Sequence, residues 1–404
     1  MVLRTVIVGS GQAGIQTAIS LRQGGYQGEI ILAGREPHVP YQRPPLSKQV
    51  LKKEWAAERC QLRHLEFYEQ HDIDLLLGVS AKSLDTANNT VKMDDGTEWK
   101  YSSLAICSGS RLNRLTVPGS DLPGVHYLRT VDDALSLSSR LQAGVRVAVI
   151  GGGYIGLEVA AAARGLGCEV TVIEALGQVM QRSALPEIAA MLYQRHAEAG
   201  VEFLMNCRVA VLQGESAVHG VELESGETVP ADVVMVGVGV RPDLRWLEGS
   251  GLETNRGIRV DTACRSSVEN VFAAGDVAEL RHHLLDGWHV LESVQNAVSQ
   301  GKVVAGNILE KAECYTDVPW FWSEQYDCKL QMAGIPRVED VHVRRPNPDT
   351  GGISIFSMSG TRLNAVQSIN SPRDYMVGRQ LITHQADVDV EHLKDSGFNL
   401  KELI

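Results

Sequence analysis

The sequence has 404 residues, of which 44% are hydrophobic, and a formal net charge of -11 at pH 7. This length predicts two or three domains, each large enough to bury a core. The negative charge argues against a nucleic acid as partner, although a local basic patch would still let an acidic protein dock. Apolar runs all fall short of the roughly 18 residues that span a bilayer. Because a strand-like run begins by residue 5, a signal peptide is not expected either.

The seven cysteines are an odd number and form no CxxC pair: Cys60, Cys107, Cys168, Cys207, Cys264, Cys314 and Cys328. This pattern predicts reduced, mostly buried thiols in a cytoplasmic protein. No grouping of ligand-type residues or HExxH-like motif indicates a metal site, and no catalytic triad is recognisable.

A glycine-rich turn, Gly9-Ser-Gly-Gln-Ala-Gly14, follows the strand-like residues 5–8 and precedes a helical stretch at residues 15–21. In such a turn the first glycine permits the tight reversal, the second lets the main chain approach a pyrophosphate, and the third lets helix and strand pack closely. The helix then directs free N–H groups and partial positive charge at the phosphates. A second strand-like run, residues 29–32, leads to Glu36, which is about 20 residues farther on and suits a ribose hydroxyl.

The same layout recurs in the middle of the chain. Residues 147–150 are strand-like, Gly151-Gly-Gly-Tyr-Ile-Gly156 forms the turn, residues 155–164 are helical, and a strand-like run at 168–173 ends in Glu174. One glycine-rich turn is weak evidence, because such turns also serve structural ends. Two copies that both include strand, turn, helix, strand and acid predict two nucleotide sites.

Each copy is followed by a hairpin signal and a strand that ends in glycine. The hairpins lie at residues 91–96 and 221–226, and the strands at 104–109 and 233–239. Asp-Gly and Ser-Gly are turn signals between extended runs. The sequence therefore predicts an α/β fold with two similar doubly wound, Rossmann-like units.

A further short apolar run ends in Gly275-Asp276, which alone would more often be a strand and a tight turn. Together with the two glycine-rich turns it resembles the two-dinucleotide-binding-domain flavoproteins of the glutathione-reductase-like fold, where this aspartate bonds the ribityl chain of FAD. The resemblance implies a discontinuous FAD-binding domain (1–112 and 245–318), an inserted NAD-binding domain (113–244) and an α+β C-terminal interface domain (319–404).

The segment after Glu36 separates members of that family. Disulfide reductases carry a redox cysteine pair there, and peroxidase and coenzyme A disulfide reductase types a single cysteine. This chain reads Pro40-Tyr-Gln-Arg-Pro-Pro-Leu-Ser-Lys48 and has no thiol before Cys60. The segment resembles the FAD-dependent NADH:ferredoxin reductases of bacterial oxygenase systems, of the putidaredoxin reductase and ring-hydroxylating dioxygenase type. The similarity covers essentially the whole chain, including residues 129–130, 151–158, 292–297 and 319–326.

Two features depart from that pattern. Cys107-Ser-Gly109 stands where the family usually has Ala-Thr-Gly, and the serine keeps the hydroxyl. The tail after Leu393 is short, which bears on the choice of partner.

The resemblance implies hydride transfer from NADH to FAD, followed by two single-electron transfers to a [2Fe-2S] ferredoxin that feeds a cytochrome P450 or a Rieske-type oxygenase. The redox chemistry then belongs to the cofactor, so no acid–base residue is required. The ferredoxin is expected to be acidic and transiently bound, and the protein to be a cytoplasmic monomer or homodimer.

By the same resemblance, Lys48 would lie against the flavin and pair with Glu158 on the nicotinamide side. Arg43 and Arg129 would bond FAD phosphate or flavin oxygens, for which guanidinium groups are suited. At least one of two alternate tryptophans would lie near the flavin. The residues expected at FAD are Gly9, Gly11, Gln12, Ala13, Gly14, Glu36, Arg43, Lys48, Val79, Ser108, Gly109, Arg111, Arg129, Gly275, Asp276, Glu292, Val294, Gln295, Ala297, Trp320 and Trp322. Those expected at NAD are Gly151, Gly153, Tyr154, Ile155, Gly156, Glu158, Glu174, Arg182 and Gly239.

Glu174 favours NADH, since a carboxylate accepts hydrogen bonds from a ribose 2'-hydroxyl and repels a 2'-phosphate. Arg182 is the counterargument, because an arginine near this strand end accommodates NADP, although it would also suit the adenine side of NADH.

The last segment contains a group of arginines that is either an ordinary solvated surface or a docking face for an acidic ferredoxin: Arg337, Arg344, Arg345, Arg362, Arg373 and Arg379. Three other functions remain open. They are a rubredoxin reductase, an NADH-sensing flavoprotein that resembles apoptosis-inducing factor, and a thiol or peroxide reductase, which the missing cysteine disfavours.

Overall fold

A computed structural model describes residues 3–404 of the chain. The chain forms two compact units. The first comprises residues up to Gln42, Gln61–Arg111 and Arg241–Phe321, and the second comprises Arg43–Cys60, Leu112–Val240 and Trp322–Ile404.

The elements of the N-terminal third are the strands Arg4–Val8 (β1), Glu29–Gly34 (β2), Ile73–Leu77 (β3), Ala81–Asp85 (β4), Thr90–Met93 (β5), Glu98–Lys100 (β6), Ser103–Ile106 (β7) and Ser110–Leu112 (β8), and the helices Gln12–Gln23 (α1) and Leu65–Gln70 (α2).

The elements of the middle of the chain are the strands Val125–Tyr127 (β9), Arg146–Ile150 (β10), Glu169–Glu174 (β11), Val201–Met205 (β12), Val209–Gly214 (β13), Val218–Leu223 (β14), Thr228–Pro230 (β15), Val233–Val236 (β16), Val240–Pro242 (β17), Ile258–Val260 (β18), Val271–Ala273 (β19), Ala278–Arg281 (β20) and Trp288–Val290 (β21), and the helices Val131–Arg140 (α3), Tyr154–Gly165 (α4), Pro186–Glu198 (α5) and Val294–Ile308 (α6).

The elements of the C-terminal segment are the strands Trp320–Gln325 (β22), Cys328–Gly334 (β23), Val341–Asn347 (β24), Gly352–Ser359 (β25) and Arg362–Ile369 (β26), and the helices Pro372–His384 (α7) and Val390–Lys394 (α8).

The first unit is built on a five-stranded sheet in the order β19-β7-β1-β2-β3. The strands run parallel throughout. Four of the five residues of β1 are buried, as expected for a parallel strand that is covered on both faces. The predicted return of the chain to this sheet is confirmed, because Val271–Ala273 pairs with β7.

The second unit contains a parallel sheet of the same form, in the order β12-β11-β10-β16-β9. One edge strand differs between the two sheets. In the second sheet, β9 precedes the central strand β10 in the sequence, whereas in the first sheet the corresponding strand, β19, follows the central strand β1. The prediction of two similar doubly wound units is confirmed, apart from this difference in the order of one edge strand.

Both predicted hairpins are present in three-stranded antiparallel sheets. Strands β4, β5 and β6 form one sheet in the first unit, and β13, β14 and β15 form the other in the second unit. Gly96 and Gly226 occupy the two turns with φ of 90° and 87°, a backbone conformation that residues other than glycine rarely adopt.

The C-terminal segment adds a five-stranded sheet to the second unit, in the order β22-β23-β26-β25-β24. One core cluster joins Leu157 of α4 and Ile188 of α5 with Leu330, Ile355 and Ile369 of this sheet. The C-terminal sheet and the α4–α5 helices therefore share a hydrophobic core.

Five cysteines are buried, Cys207 is partly exposed and Cys314 is exposed, and all seven are free thiols. Among residues 3–404, none of the helices has the length and apolar character that a membrane-spanning segment requires.

Candidate functional site

The first glycine-rich turn connects β1 to α1. Gly9 adopts a φ of 112°, and its N–H donates to the Ala33 carbonyl at 2.7 Å. A Cβ at Gly9 would overlap the carbonyl oxygen of Cys107, and one at Gly14 would overlap the carbonyl oxygen of Gly9. These two glycines are therefore required by the backbone itself.

The second turn, between β10 and α4, repeats this geometry. Gly151 has a φ of 105° and donates to the Ile173 carbonyl at 2.8 Å. A Cβ at Gly151 would lie 2.5 Å from the carbonyl oxygen of Gly237, and one at Gly156 would overlap the carbonyl oxygen of Gly151. Both turns therefore require glycine at their first and last positions, because a Cβ there would collide with a backbone carbonyl oxygen.

The middle glycines, Gly11 and Gly153, differ from the others. A Cβ at either position would meet no protein atom within 4 Å, and both residues have extended backbone at the N-terminus of a helix. The space in front of each helix is thus open and faces free N–H groups, which is what a pyrophosphate requires. Both turns fit the phosphates of a dinucleotide.

Gly275 and Asp276 lie beside the first of these turns. A Cβ at Gly275 would approach Ala13 at 3.2 Å and Ala297 at 3.6 Å, so the starts of α1 and α6 flank the residue. Asp276 accepts a hydrogen bond from Ser110 at 3.0 Å. Helix α6 begins within the segment 292–297, where Ser293 caps it by accepting the Asn296 N–H at 3.1 Å.

Three residues in α6 or just after β7 have buried polar side-chain atoms without a hydrogen-bond partner among the described residues. They are the Ser108 hydroxyl, the Gln295 side-chain oxygen and the Asn296 side-chain oxygen. Because buried polar atoms are nearly always hydrogen-bonded in native proteins, these atoms suit a polar ligand. FAD, whose ribityl hydroxyls and pyrimidine edge are polar, fits this surrounding.

Lys48 and Glu158 form a buried ion pair within the second unit. Lys48 Nζ lies 2.7 Å from Glu158 Oε2, and the two side chains are 11% and 3% exposed. Lys48 directly follows the 3-10 turn Pro44–Ser47, and Glu158 lies in the second turn of α4. The pairing expected from the sequence is therefore present.

Two serines complete the surroundings of this carboxylate, and sequence reasoning assigned a role to neither. The Ser47 hydroxyl donates to Glu158 Oε2, and the Ser323 hydroxyl donates to Glu158 Oε1 at 2.6 Å. The position of Ser47 directly before Lys48 could have indicated that its hydroxyl also lies near Glu158. Ser323 lies in β22, far along the chain, and no local pattern connects it to Glu158.

Arg43 and Arg129 are also brought together in the second unit. The Arg43 guanidinium donates to the Arg129 carbonyl at 2.5 Å, and both side chains are partly buried. Arg129 lies just before α3, where Thr130 and Asp133 form a reciprocal capping box. The cap fixes the entry of the helix and therefore the position of Arg129.

The two acids that follow the second strands are engaged by neighbouring groups. The Tyr41 hydroxyl donates to Glu36. Glu174 accepts the N–H groups of Gly152 at 2.6 Å and Leu176 at 2.8 Å. Glu174 thus supports the glycine-rich turn itself, and each of its oxygens retains a lone pair for a ribose hydroxyl.

The remaining residues expected at FAD lie at several positions. Gln12 and Val294 begin helices α1 and α6, and Glu292 is exposed. The Val79 N–H donates to the Gly34 carbonyl, and Gly109 has a φ of 65°. The Arg111 Nε lies 3.6 Å from Asp243. Trp320 and Trp322 are both partly buried, at alternate positions of β22. Arg43, Lys48, Arg129 and Trp322 belong to the second unit, and the other residues expected at FAD belong to the first.

The other residues expected at NAD are partly or largely exposed. Tyr154 begins α4 and its hydroxyl contacts the Met332 sulfur at 3.5 Å. Ile155 is 43% exposed, and Arg182 and Gly239 are exposed.

The thiols are poorly suited to redox catalysis. Burial raises the pKa of Cys60 and of Cys328, and it raises the pKa of Cys107 to about 12. Because the thiolate is the reactive form, these side chains stay protonated and inert at neutral pH.

Comparisons with known proteins agree with this geometry. The family model described as pyridine nucleotide-disulphide oxidoreductase matches residues 3–301. The chain belongs to this family. It is accordingly an oxidoreductase that uses FAD and NAD(H), and a second model, described as reductase C-terminal, matches residues 320–404.

Several members of this family are similar over nearly their whole length. Rhodocoxin reductase of Rhodococcus erythropolis is 42% identical, with 98% of this chain and 93% of the relative covered. The ferredoxin–NAD(+) reductase component of the anthranilate 1,2-dioxygenase system of Burkholderia cepacia is 40% identical, with 99% and 98% covered. The structure of the covalent putidaredoxin reductase–putidaredoxin complex contains a chain that matches with a TM-score of 0.96 at 33% identity, with 99% of this chain and 97% of the other covered.

Proposed function

We propose that this protein is an NADH:ferredoxin reductase that supplies electrons, through a [2Fe-2S] ferredoxin, to a cytochrome P450 or Rieske-type oxygenase. The observation that carries the proposal is the extent of the similarity to such reductases, which continues through residues 320–404. The free thiols of Cys60, Cys107 and Cys328 support it further, because burial raises their pKa and so disfavours the reactive thiolate that electron transfer through a disulfide requires.

Each nucleotide has its own part of the chain in this proposal. The segments 1–112 and 245–318 hold FAD, with the pyrophosphate in front of Gly11, and residues 113–244 hold NADH in front of Gly153. FAD bound there would supply the redox chemistry, namely two-electron reduction by NADH and one-electron reoxidation by the ferredoxin. Residues 319–404 form the interface for the partner.

The side chains of the protein orient and insulate rather than react. Lys48 supplies a positive charge that favours the negative charge of a reduced flavin, and Glu158 neutralises and orients that lysine. Because both side chains are almost fully buried, water weakens their interaction little. Arg43 and Arg129 bind FAD phosphate or flavin oxygens, and at least one of Trp320 and Trp322 shields the cofactor.

Glu174 selects NADH over NADPH. A 2'-phosphate in its vicinity would meet a carboxylate that already accepts two backbone N–H groups and is held in place by them. The resulting repulsion is not relieved by rotation of the side chain. The exposed Arg182 would then contact the adenine side.

The partner is an acidic ferredoxin that binds transiently, and the protein acts as a cytoplasmic monomer or homodimer. Arg344 and Arg373 are exposed and suit such a docking face. Arg345 does not belong to it, contrary to the expectation from sequence, because this side chain is 7% exposed and already bonded within the protein.

The decisive experiment is anaerobic stopped-flow spectroscopy of the FAD-loaded protein. It is mixed first with NADH or NADPH, and the reduced protein is then mixed with a [2Fe-2S] ferredoxin. We expect rapid bleaching of the flavin by NADH, much slower bleaching by NADPH, and reoxidation that coincides with reduction of the ferredoxin.

Other outcomes would identify the alternatives. Reoxidation by rubredoxin but by no ferredoxin would indicate a rubredoxin reductase. Slow bleaching with a long-lived complex of NADH and flavin would indicate a sensor that resembles apoptosis-inducing factor. Loss of NADH turnover after alkylation of the cysteines would revive a thiol or peroxide reductase.

A further inference from the structure

A line of buried hydrogen bonds leads from Glu158 into the protein interior, entirely within the second unit. Ser323 Oγ donates to Glu158 Oε1 at 2.6 Å, and Gln325 Nε2 donates to Ser323 Oγ at 3.1 Å. His196 Nε2 lies 2.9 Å from Gln325 Oε1. The exposed fractions of these four residues lie between 0% and 4%.

The hydrogen bonds of this line have a single consistent direction. The Glu158 carboxylate, which is paired with Lys48, only accepts hydrogen bonds, so the hydroxyl proton of Ser323 points to it and the lone pairs of Ser323 receive the Gln325 amide. The amide oxygen of Gln325 then requires a donor, which is the Nε2–H of His196. His196 Nδ1 is left to accept from the Tyr326 hydroxyl, 3.3 Å away.

Burial keeps His196 neutral. The histidine ring is 0% exposed, and burial lowers its pKa to about 4. At neutral pH the ring therefore carries one proton, which the geometry assigns to Nε2. Every donor in the line is directed toward the carboxylate, so the negative charge of Glu158 polarises each bond in turn.

The line is suited to holding a charge in place rather than to moving a proton. The Gln325 amide lies in its middle, and an amide does not readily accept a proton and release another. The strand that carries Ser323 and Gln325 presents Trp320 and Trp322 on the alternate positions. One strand thus links the orientation of the carboxylate to the tryptophans expected at the flavin.

We propose that Ser323, Gln325 and His196 are positioning residues that hold the Glu158 carboxylate directed at Lys48 during reduction of the flavin by NADH. This inference rests on the proposed role of the Lys48–Glu158 pair. Removing the Ser323 hydroxyl would leave a buried carboxylate oxygen without its donor, which carries a large cost because the carboxylate cannot be solvated instead.

The test compares Ser323→Ala with Ser323→Thr, which keeps the hydroxyl, and with Ser357→Ala as a matched control. Ser357 is a fully buried serine of the same C-terminal sheet, and its hydroxyl bonds to His342 at 3.1 Å. FAD content, thermal stability, the dissociation constant for NADH and the rate constant of flavin reduction at saturating NADH are measured for each variant.

We expect Ser323→Ala to reduce the flavin about tenfold more slowly than the natural protein, the equivalent of one hydrogen bond to a charged group. Its FAD content should match that of Ser357→Ala, and Ser323→Thr should restore most of the rate. Because Ser323 acts through Glu158, the double variant Ser323→Ala/Glu158→Gln should be no slower than Glu158→Gln alone. Gln325→Met tests the next bond in the line if Ser323→Ala folds poorly.

Two results would overturn the inference, and they are distinguishable. If Glu158→Gln slows flavin reduction but Ser323→Ala and Gln325→Met do not, the line is structural only. If Glu158→Gln itself leaves flavin reduction unchanged, the proposed role of the ion pair is wrong and the inference fails with it.

Discussion

At the scale of single residues, each glycine-rich turn contains glycines with two different tasks. Gly14 and Gly156 have no room for a Cβ because a backbone carbonyl of the same turn occupies the place. Gly11 and Gly153 have room and an ordinary extended backbone. The first kind is required for folding, and the second for the approach of a ligand.

This difference predicts opposite results for Gly153→Ala and Gly156→Ala. Gly153→Ala should fold, retain FAD and show a KM for NADH raised about tenfold or more, because the methyl group enters only the space of the pyrophosphate. Gly156→Ala should fold poorly, since the Cβ would overlap the Gly151 carbonyl. Expression, FAD absorbance and the dependence of the rate on NADH concentration distinguish the two.

An unchanged KM in Gly153→Ala would contradict the assignment of this turn to NADH. The corresponding change in the first turn, Gly11→Ala, serves as the control. It should yield a folded protein that has lost FAD rather than affinity for NADH.

The glycines and the Lys48–Glu158 pair could be predicted, whereas Ser323 could not. Glycine patterns are local, and Lys48 and Glu158 each lie in a motif that resembles the family's. The hydrogen bond from Ser323 to Glu158 joins residues 165 positions apart. A buried serine in a strand is common, so its identity alone carries no signal.

At the scale of secondary-structure elements, β24 anchors the end of the chain. The buried Arg345 guanidinium donates to main-chain carbonyls of the tail, including Phe398 at 2.7 Å and Leu393 at 3.3 Å. Its Nε also lies 3.5 Å from Asp374 of α7. One side chain thus holds a strand, a helix and the C-terminal tail together.

Replacing this arginine should loosen the tail without affecting the nucleotide sites. Arg345→Met is expected to lower the free energy of unfolding by about 3 kcal/mol, because carbonyls and a carboxylate lose a buried cation. Arg344→Met, the exposed neighbour in the same strand, should change it by less than about 0.5 kcal/mol. Chemical denaturation gives both values, and hydrogen exchange should show faster exchange over residues 390–404 in Arg345→Met only.

Equal protection of the tail in the two variants would show that the tail is held by its apolar contacts instead. The two hairpins could be predicted from the sequence, because hairpin turns are local signals. Sequence reasoning assigned Arg345 to the surface, because the carbonyls that bind this side chain come from the tail about 50 residues later.

At the scale of the whole molecule, the net charge of -11 opposes the approach of an acidic partner. Productive docking then requires a local positive face, for which exposed arginines of the C-terminal segment such as Arg344 and Arg373 are the candidates. Attraction between such exposed charges is screened by salt, with a Debye length of about 10 Å at 0.1 M.

Electron transfer to ferredoxin should therefore fall steeply with ionic strength, on the order of tenfold between low and high salt. Turnover with ferricyanide, a small acceptor that needs no docking face, measures the flavin half-reaction under the same conditions and should change much less. Parallel responses of the two rates would reject docking by charge.

The repeated half of the molecule was predictable from sequence, because the same order of strand, turn, helix, strand and acid occurs twice. The C-terminal sheet was harder to predict, since it contains no glycine-rich motif, and its shared core with α4 and α5 joins residues more than 130 positions apart.

The different origin of the edge strands has a consequence for synthesis on the ribosome. The parallel sheet of the second unit is complete once β16 has emerged, at Val236. The sheet that contains β1 still lacks its strand β19, which ends at Ala273, and the first unit still lacks helix α6, which ends at Ile308. Domains usually fold in the order in which they are translated, but here the first strands to emerge must wait, with β7 still an open edge, while the later sheet closes before them.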